Sequence, residues 1–213
     1  MKKNLTELVF ILDRSGSMNG LEKDTVGGFN SFIEKQKKQK GECLVSLVTF
    51  NSHSEVVYDR VLLNEIRKMK LDDFVPSGCT ALIDAMGDSI KHIKNVHKYI
   101  RKEDIPEHTM FVIMTDGLEN DSHKYTSDEV KKLVSKQKEE GWEFIFLAAN
   151  IDAIETAKQY GIKEDRAVNY HSDVKGTATN FNVLSKAVTK LREEGSIDKN
   201  WSEEIKEDYR KRK

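Results

Sequence analysis

The sequence predicts an α/β fold, with a doubly wound, mostly parallel central sheet and helices on both faces. Three observations lead there. Short, near-continuous apolar runs recur along the chain. Strands that are apolar at successive positions are buried on both faces, the habit of parallel sheets. Amphipathic stretches with helical spacing fill the intervals, as parallel crossovers require. No internal repeat or linker divides the 213 residues.

The first apolar run is Leu8–Leu12, ending at Asp13. Phe29, Phe32 and Ile33 mark a helix that stops before Gly41. The second run spans Leu44–Phe50. Glu55–Leu63 follows after a short turn and alternates more, which predicts an edge strand paired antiparallel. Leu82, Met86, Ile90, Ile93 and His97 share one helical face. The third run, Met110–Met114, ends in Thr115-Asp116-Gly117. Thr126 and Glu129 form a capping box ahead of Val130, Leu133 and Val134, and Gly141 closes that helix. The fourth run is Phe144–Ala149, and a weaker strand covers Ala167–Tyr170. Val174–Leu191 is a helix with Phe181, Leu184, Val188 and Leu191 as its stripe. Beyond it, Trp201, Ile205 and Tyr209 recur every fourth residue in a highly charged stretch. That pattern fits a terminal helix packed back on the domain, with a docking helix for another protein as the alternative.

Composition narrows the function. Apolar residues make up 38% and charged residues 33%, with a formal net charge of -1. Such a balance favours neither nucleic acid nor an anionic membrane, and the basic end Arg210-Lys211-Arg212-Lys213 is too short to change that. The apolar run behind Met1-Lys2-Lys3 is bracketed by Glu7 and Asp13, so it reads as a buried strand, not a signal peptide. No stretch is long and apolar enough to span a bilayer. Cys43 and Cys79 make no disulfide framework and point to a reducing compartment. The expectation is a soluble, cytoplasmic protein with Cys43 in the core and Cys79 exposed.

In doubly wound sheets ligands sit beyond the carboxyl ends of the strands. There the first strand ends in Asp13-Arg14-Ser15-Gly16-Ser17, a carboxylate and two hydroxyls on alternate positions, with Gly16 permitting a close turn. The third long strand ends in Thr115-Asp116-Gly117. The loop before the central helix, Ser77-Gly78-Cys79-Thr80-Ala81-Leu82, adds another hydroxyl. Asp13, Ser15, Ser17, Thr80 and Asp116 are all oxygen donors, the set that hard cations such as magnesium prefer. Only two of the five carry charge, which leaves a bound dication electrophilic toward a further carboxylate. The six histidines show no paired-ligand spacing, so no transition-metal site is assigned.

These three motifs, in this order, resemble the metal-ion-dependent adhesion site of the von Willebrand factor A family. The resemblance extends from about Leu5 to about Leu191. It implies a Rossmann-like sheet over residues 1–194, with 195–213 as a charged tail or terminal helix. It also implies that Ser15 and Ser17 coordinate the metal directly, that Thr80 does so directly or through water, and that the aspartates often act through water. Magnesium is the expected cation, with manganese and calcium sharing its oxygen preference. The expected partner is a protein presenting a carboxylate, with ATPase-associated assemblies one setting for intracellular bacterial members. The short architecture is similar to stand-alone bacterial and phage members. Cys79 departs from the glycine that the family often has there.

Neighbouring residues admit plainer readings. Arg14 reads as solvated, and Glu119, Asn120 and Asp121 as a solvated loop. Asp84 either orients a metal-bound water or caps and pairs at the surface. A competing function keeps the metal and makes Asp13 a phosphoryl-accepting nucleophile, as in haloacid-dehalogenase-like phosphatases. Those need a second Asp two positions on, where this chain has Ser15. Gly16-Ser17-Met18 does not fit a nucleophile elbow, and there is no Walker-type loop. The reading is a binding module, not an enzyme.

Overall fold

Side chains leave a strand alternately to its two faces, and along the first strand both faces are covered. The strands are β1 (Lys2–Asp13), β2 (Glu42–Phe50), β3 (Ser54–Leu62), β4 (Pro106–Thr115), β5 (Glu143–Ala148) and β6 (Ala167–Asn169). The helices are α1 (Glu22–Gln36), α2 (Leu82–Tyr99), α3 (Ser127–Glu139), α4 (Ala153–Gln159), α5 (Val174–Glu194) and α6 (Glu203–Lys211). The computed structural model describes residues 1–212 and shows one six-stranded sheet, in the order β3-β2-β1-β4-β5-β6. All neighbouring pairs are parallel except β2 with β3.

Leu8, Phe10 and Leu12 of β1 enter an apolar layer shared with α1, α5 and α6. Val9 and Ile11 enter the opposite layer, shared with α2, α3 and α4. Burial on both faces explains why these runs carry no polar alternation. Asp173 caps α5 by accepting the Gly176 N–H at 2.8 Å. The capping box of α3 forms as the sequence predicts, with Glu129 N donating to Thr126 Oγ1 at 3.3 Å and Thr126 N to Glu129 Oε2 at 2.8 Å.

Three differences from the sequence reading have local causes. Strand β1 begins at Lys2, because the Lys2 N–H donates to Ile105 O at 2.6 Å although Lys2–Asn4 bury no apolar side chain. Helix α4 was not expected. Its buried face is only Ala153 and Ala157, too small to raise a stripe, and Asp152 fixes its start by accepting the N–H groups of Ile154 and Glu155 at 3.0 Å. Glu7, read as an acidic bracket, lies fully buried in β1. Both its oxygens are satisfied, one by Arg60 Nε of β3 and the other by His97 Nε2 of α2 at 2.5 Å. Leaving both partners out would strand the Glu7 charge in the core.

At the middle of the sheet β1 and β4 run side by side, with Leu12 opposite Met114. From β1 the chain builds outward through β2 and β3; from β4 it builds the other way through β5 and β6. The carboxyl ends of β1 and β4 therefore flank the topological switch point, where such folds place ligands. Among the described residues, no helix is long and apolar enough to cross a membrane.

Candidate metal centre

Asp13 ends β1 and turns its carboxylate inward. The side chain is 1% exposed, with Oδ1 accepting the Ser15 N–H at 2.7 Å and Oδ2 accepting Thr115 Oγ1 at 2.6 Å. A short 3-10 turn, Gly16–Met18, then brings the Ser15 and Ser17 hydroxyls to 3.0 Å from each other. The Gly16 N–H donates to Gly78 O at 3.1 Å; an added Cβ would meet that oxygen at 3.4 Å, an ordinary contact, so the close turn expected of Gly16 does not require a glycine for space. Ser17 Oγ donates to Asp116 Oδ1 at 2.5 Å, tying the β1 turn to the end of β4. Ser172, in the loop between β6 and α5, reaches Asp116 Oδ2 at 3.4 Å.

Thr80 arrives from the loop before α2 and is buried. A Cβ placed on Gly117 would lie 3.5 Å from Ser17 Oγ and 3.7 Å from Thr80 Oγ1, so the two hydroxyls border one small volume. The structure thus gathers Asp13, Ser15, Ser17, Thr80 and Asp116 at one place. The loop carrying Thr80 is stitched on two sides. Toward β1, Ser77 N donates to Arg14 O at 2.9 Å. Toward β4, Thr80 N donates to Asn120 Oδ1 at 2.9 Å, while Asn120 N donates back to Thr80 O at 3.0 Å.

Electrostatics set this cluster apart from an ordinary hydrogen-bonded core. Burial pushes the Asp13 carboxyl above its usual range, against the hydrogen bonds from Ser15 and Thr115, and the Asp116 charge adds to the effect. Burial likewise raises Asp116, offset by hydrogen bonds from Ser17 and Ser172. Among the described residues, no basic side chain forms an ion pair with either aspartate; Arg14 turns away to Glu55 at 2.7 Å. Two buried carboxylates without a counter-cation are costly, and a bound cation reverses that cost. The donors, two carboxylates and three hydroxyls, fit a hard, oxygen-seeking ion. Among the described residues no group of three or more His, Cys, Asp and Glu side chains is placed to hold a metal ion, so the donors on offer here are the two carboxylates and the hydroxyls.

The family model for the von Willebrand factor type A domain matches residues 7–182. The chain belongs to that family. Among curated proteins none matches this von Willebrand factor A domain. Solved structures do. Proximal thread matrix protein 1 from the mussel byssus superposes with a TM-score of 0.62 at 16% identity, over 89% of this chain and 47% of that one. Another structure of the mussel protein has a zinc-occupied MIDAS motif. The vWF domain of the type V pili tip protein Mfa5 from Porphyromonas gingivalis gives 0.62 at 11% identity, over 91% and 98%. The pilus adhesin SpaC from Lactobacillus rhamnosus GG gives 0.68 at 12% identity, over 89% and 31%. At such identities the likeness is one of fold, and this chain spans less than half of the mussel protein.

Within this von Willebrand factor A domain, several residues read as solvated have structural tasks. Arg14 is largely covered and ion-paired. Glu119 accepts the Ile83 N–H at the start of α2 at 2.9 Å, and the N–H groups of Asp121 and Ser122 at 2.9 and 2.8 Å. Asn120 clamps Thr80 as described. Asp84 is buried, so it does not cap or pair at the surface. Its carboxylate instead accepts three consecutive N–H groups, from His123, Lys124 and Tyr125, at 2.9 to 3.0 Å. Together these acids and the amide fasten the loop after Asp116 to the first turn of α2. For Glu119 and Asn120 the signal in the sequence was only a cluster of Asx and Glu residues after Thr115-Asp116-Gly117.

Proposed function

We propose that this domain is a cation-dependent protein-binding module in which Asp13, Ser15, Ser17, Thr80 and Asp116 hold one divalent cation, with magnesium first and manganese or calcium next. When bound, the cation supplies an electrophilic position that a carboxylate from a partner protein fills. The observation that carries this reading is the pair of buried aspartates without a basic partner, bordered by three hydroxyls at the switch point. The zinc-occupied motif of the mussel protein supports a divalent cation on this fold.

The chain's own groups divide the task. Thr115 and the Ser15 N–H hold Asp13 in one orientation. Asn120 fixes the height of Thr80 through its backbone. The same contacts favour binding over catalysis, since both Asp13 oxygens are engaged and the residue two positions on is Ser15. Two free cysteines, Cys43 buried and Cys79 exposed, favour a reducing, cytoplasmic setting. An ATPase-associated bacterial assembly fits that setting; the similar domains of pilus proteins make the outer surface the competing location.

The test is capture of partners from the native host by the wild-type domain with magnesium, with a chelator, and by Asp13→Ala. Retention lost under the last two conditions is expected. Retention indifferent to both would remove the reading, and magnesium-dependent phosphatase turnover abolished by Asp13→Asn would put an enzyme in its place.

A further inference from the structure

Two large apolar side chains stand exposed on segments that adjoin this site. Leu118 follows Asp116 by two residues and is 66% exposed; Val174 follows Ser172 by two residues and is 62% exposed. The hydroxyl of Ser172 reaches Asp116, so the loop that carries Leu118 and the segment that enters α5 at Val174 meet at that one carboxylate. Most large apolar side chains of this chain are buried, and isolated exposed ones need no explanation. Two on segments that meet at one site carboxylate are a different matter, because a ligand chain extending from that carboxylate can pack on them.

Charge at the rim is already internally matched. Arg14 pairs with Glu55, Arg212 with Asp173, and Lys175 with Asp208 at 2.6 Å. These pairs leave the rim little to offer a charged neighbour beyond the cup itself. We infer that the partner segment carries its acidic residue between bulky apolar side chains, which pack on Leu118 and Val174. This deepens, and rests on, the cation-dependent reading above. An acidic stretch would be disfavoured, since its further carboxylates would meet Arg14, Lys175 and Arg212 already paired. An acidic residue flanked by serines would forgo the apolar contact.

The probes are fluorescein-labelled octapeptides with one central Glu, flanked on both sides by Leu, by Ser or by Asp, measured by polarisation in manganese. Thermal stability with and without manganese is followed in parallel on the same full-length protein. The Leu-flanked peptide is expected to bind about tenfold tighter than the Ser-flanked one, the ratio that partial burial of one leucine-sized side chain gives. Replacing its Glu by Gln, or adding a chelator, should abolish binding. The double variant L118S/V174S should bring the ratio close to one while keeping the manganese-induced rise in Tm. Equal affinity for the Leu and Ser series, undetectable binding of both included, overturns the inference, as does a preference that survives the double variant. Absence of any manganese effect on Tm in the wild type instead overturns the cation reading beneath it.

Discussion

Replacing Asp116 by Asn separates the charge of this site from its packing. The side chain is 2% exposed and meets Ser17 at 2.5 Å and Ser172 at 3.4 Å. An amide has the same shape, can still accept from Ser17 and can donate to Ser172. What it removes is one of two buried negative charges. Without cation, Asp116→Asn should therefore raise Tm, because burial disfavours the ionised form of both aspartates. With cation the order should invert. A ligand at about a hundredfold over its Kd stabilises the native state by about 2.7 kcal/mol. For a domain of this size each kcal/mol moves Tm by about 2–4 °C, so the wild type should gain about 5–11 °C on adding manganese. The variant should gain almost nothing. Differential scanning fluorimetry of both proteins, chelated and manganese-loaded, reads all four values. A variant that keeps the full manganese rise, or that melts below the wild type when chelated, would refute the reasoning.

Three further substitutions test the packing, two beside the site and one away from it. Asn120→Ala leaves the Thr80 N–H without its acceptor and should cost about 1–3 kcal/mol in urea unfolding, with a smaller manganese response; Asn120→Asp restores the acceptor and should recover the stability. If Asn120→Ala unfolds like the wild type, the loop is held by other means. Gly87→Ala puts a Cβ 2.4 Å from the Tyr125 ring, and overpacking of this kind should lower stability by about 1–3 kcal/mol; an unchanged urea midpoint would show that Tyr125 moves freely. Glu7→Ala removes the shared partner of Arg60 and His97 and should cost about 3 kcal/mol, near the lower end for buried pairs because both partners reach solvent. Its manganese-induced rise in Tm should be intact, since the pair lies away from the cup.

How far the sequence could be read depended on whether information sat in side-chain type or in backbone geometry. The apolar runs of β1, β2, β4 and β5 announced buried parallel strands because burial on both faces leaves no polar position. The Asp-x-Ser-x-Ser turn, the Thr80 loop and Asp116 were visible because oxygen donors at strand ends are chemically distinctive. Asn120, Glu119 and Asp84 were not, since each acts by accepting backbone N–H groups and any solvated loop can hold such residues. Helix α4 escaped because alanines bury without making a stripe. Glu7 escaped because a charged residue in an apolar run gives no sign of partners 53 and 90 positions away.

The sheet order has a consequence for how the protein comes into being. Residue 13 and residue 116 become neighbours only when β4 slots in beside β1, after α1, β2, β3 and α2 have all been made. A nascent chain that stops short of β4 holds one of the two acidic donors and no finished cup. On the proposed reading a cation could be captured only once synthesis has passed Asp116, and its release should loosen the two halves of the sheet together, where they meet.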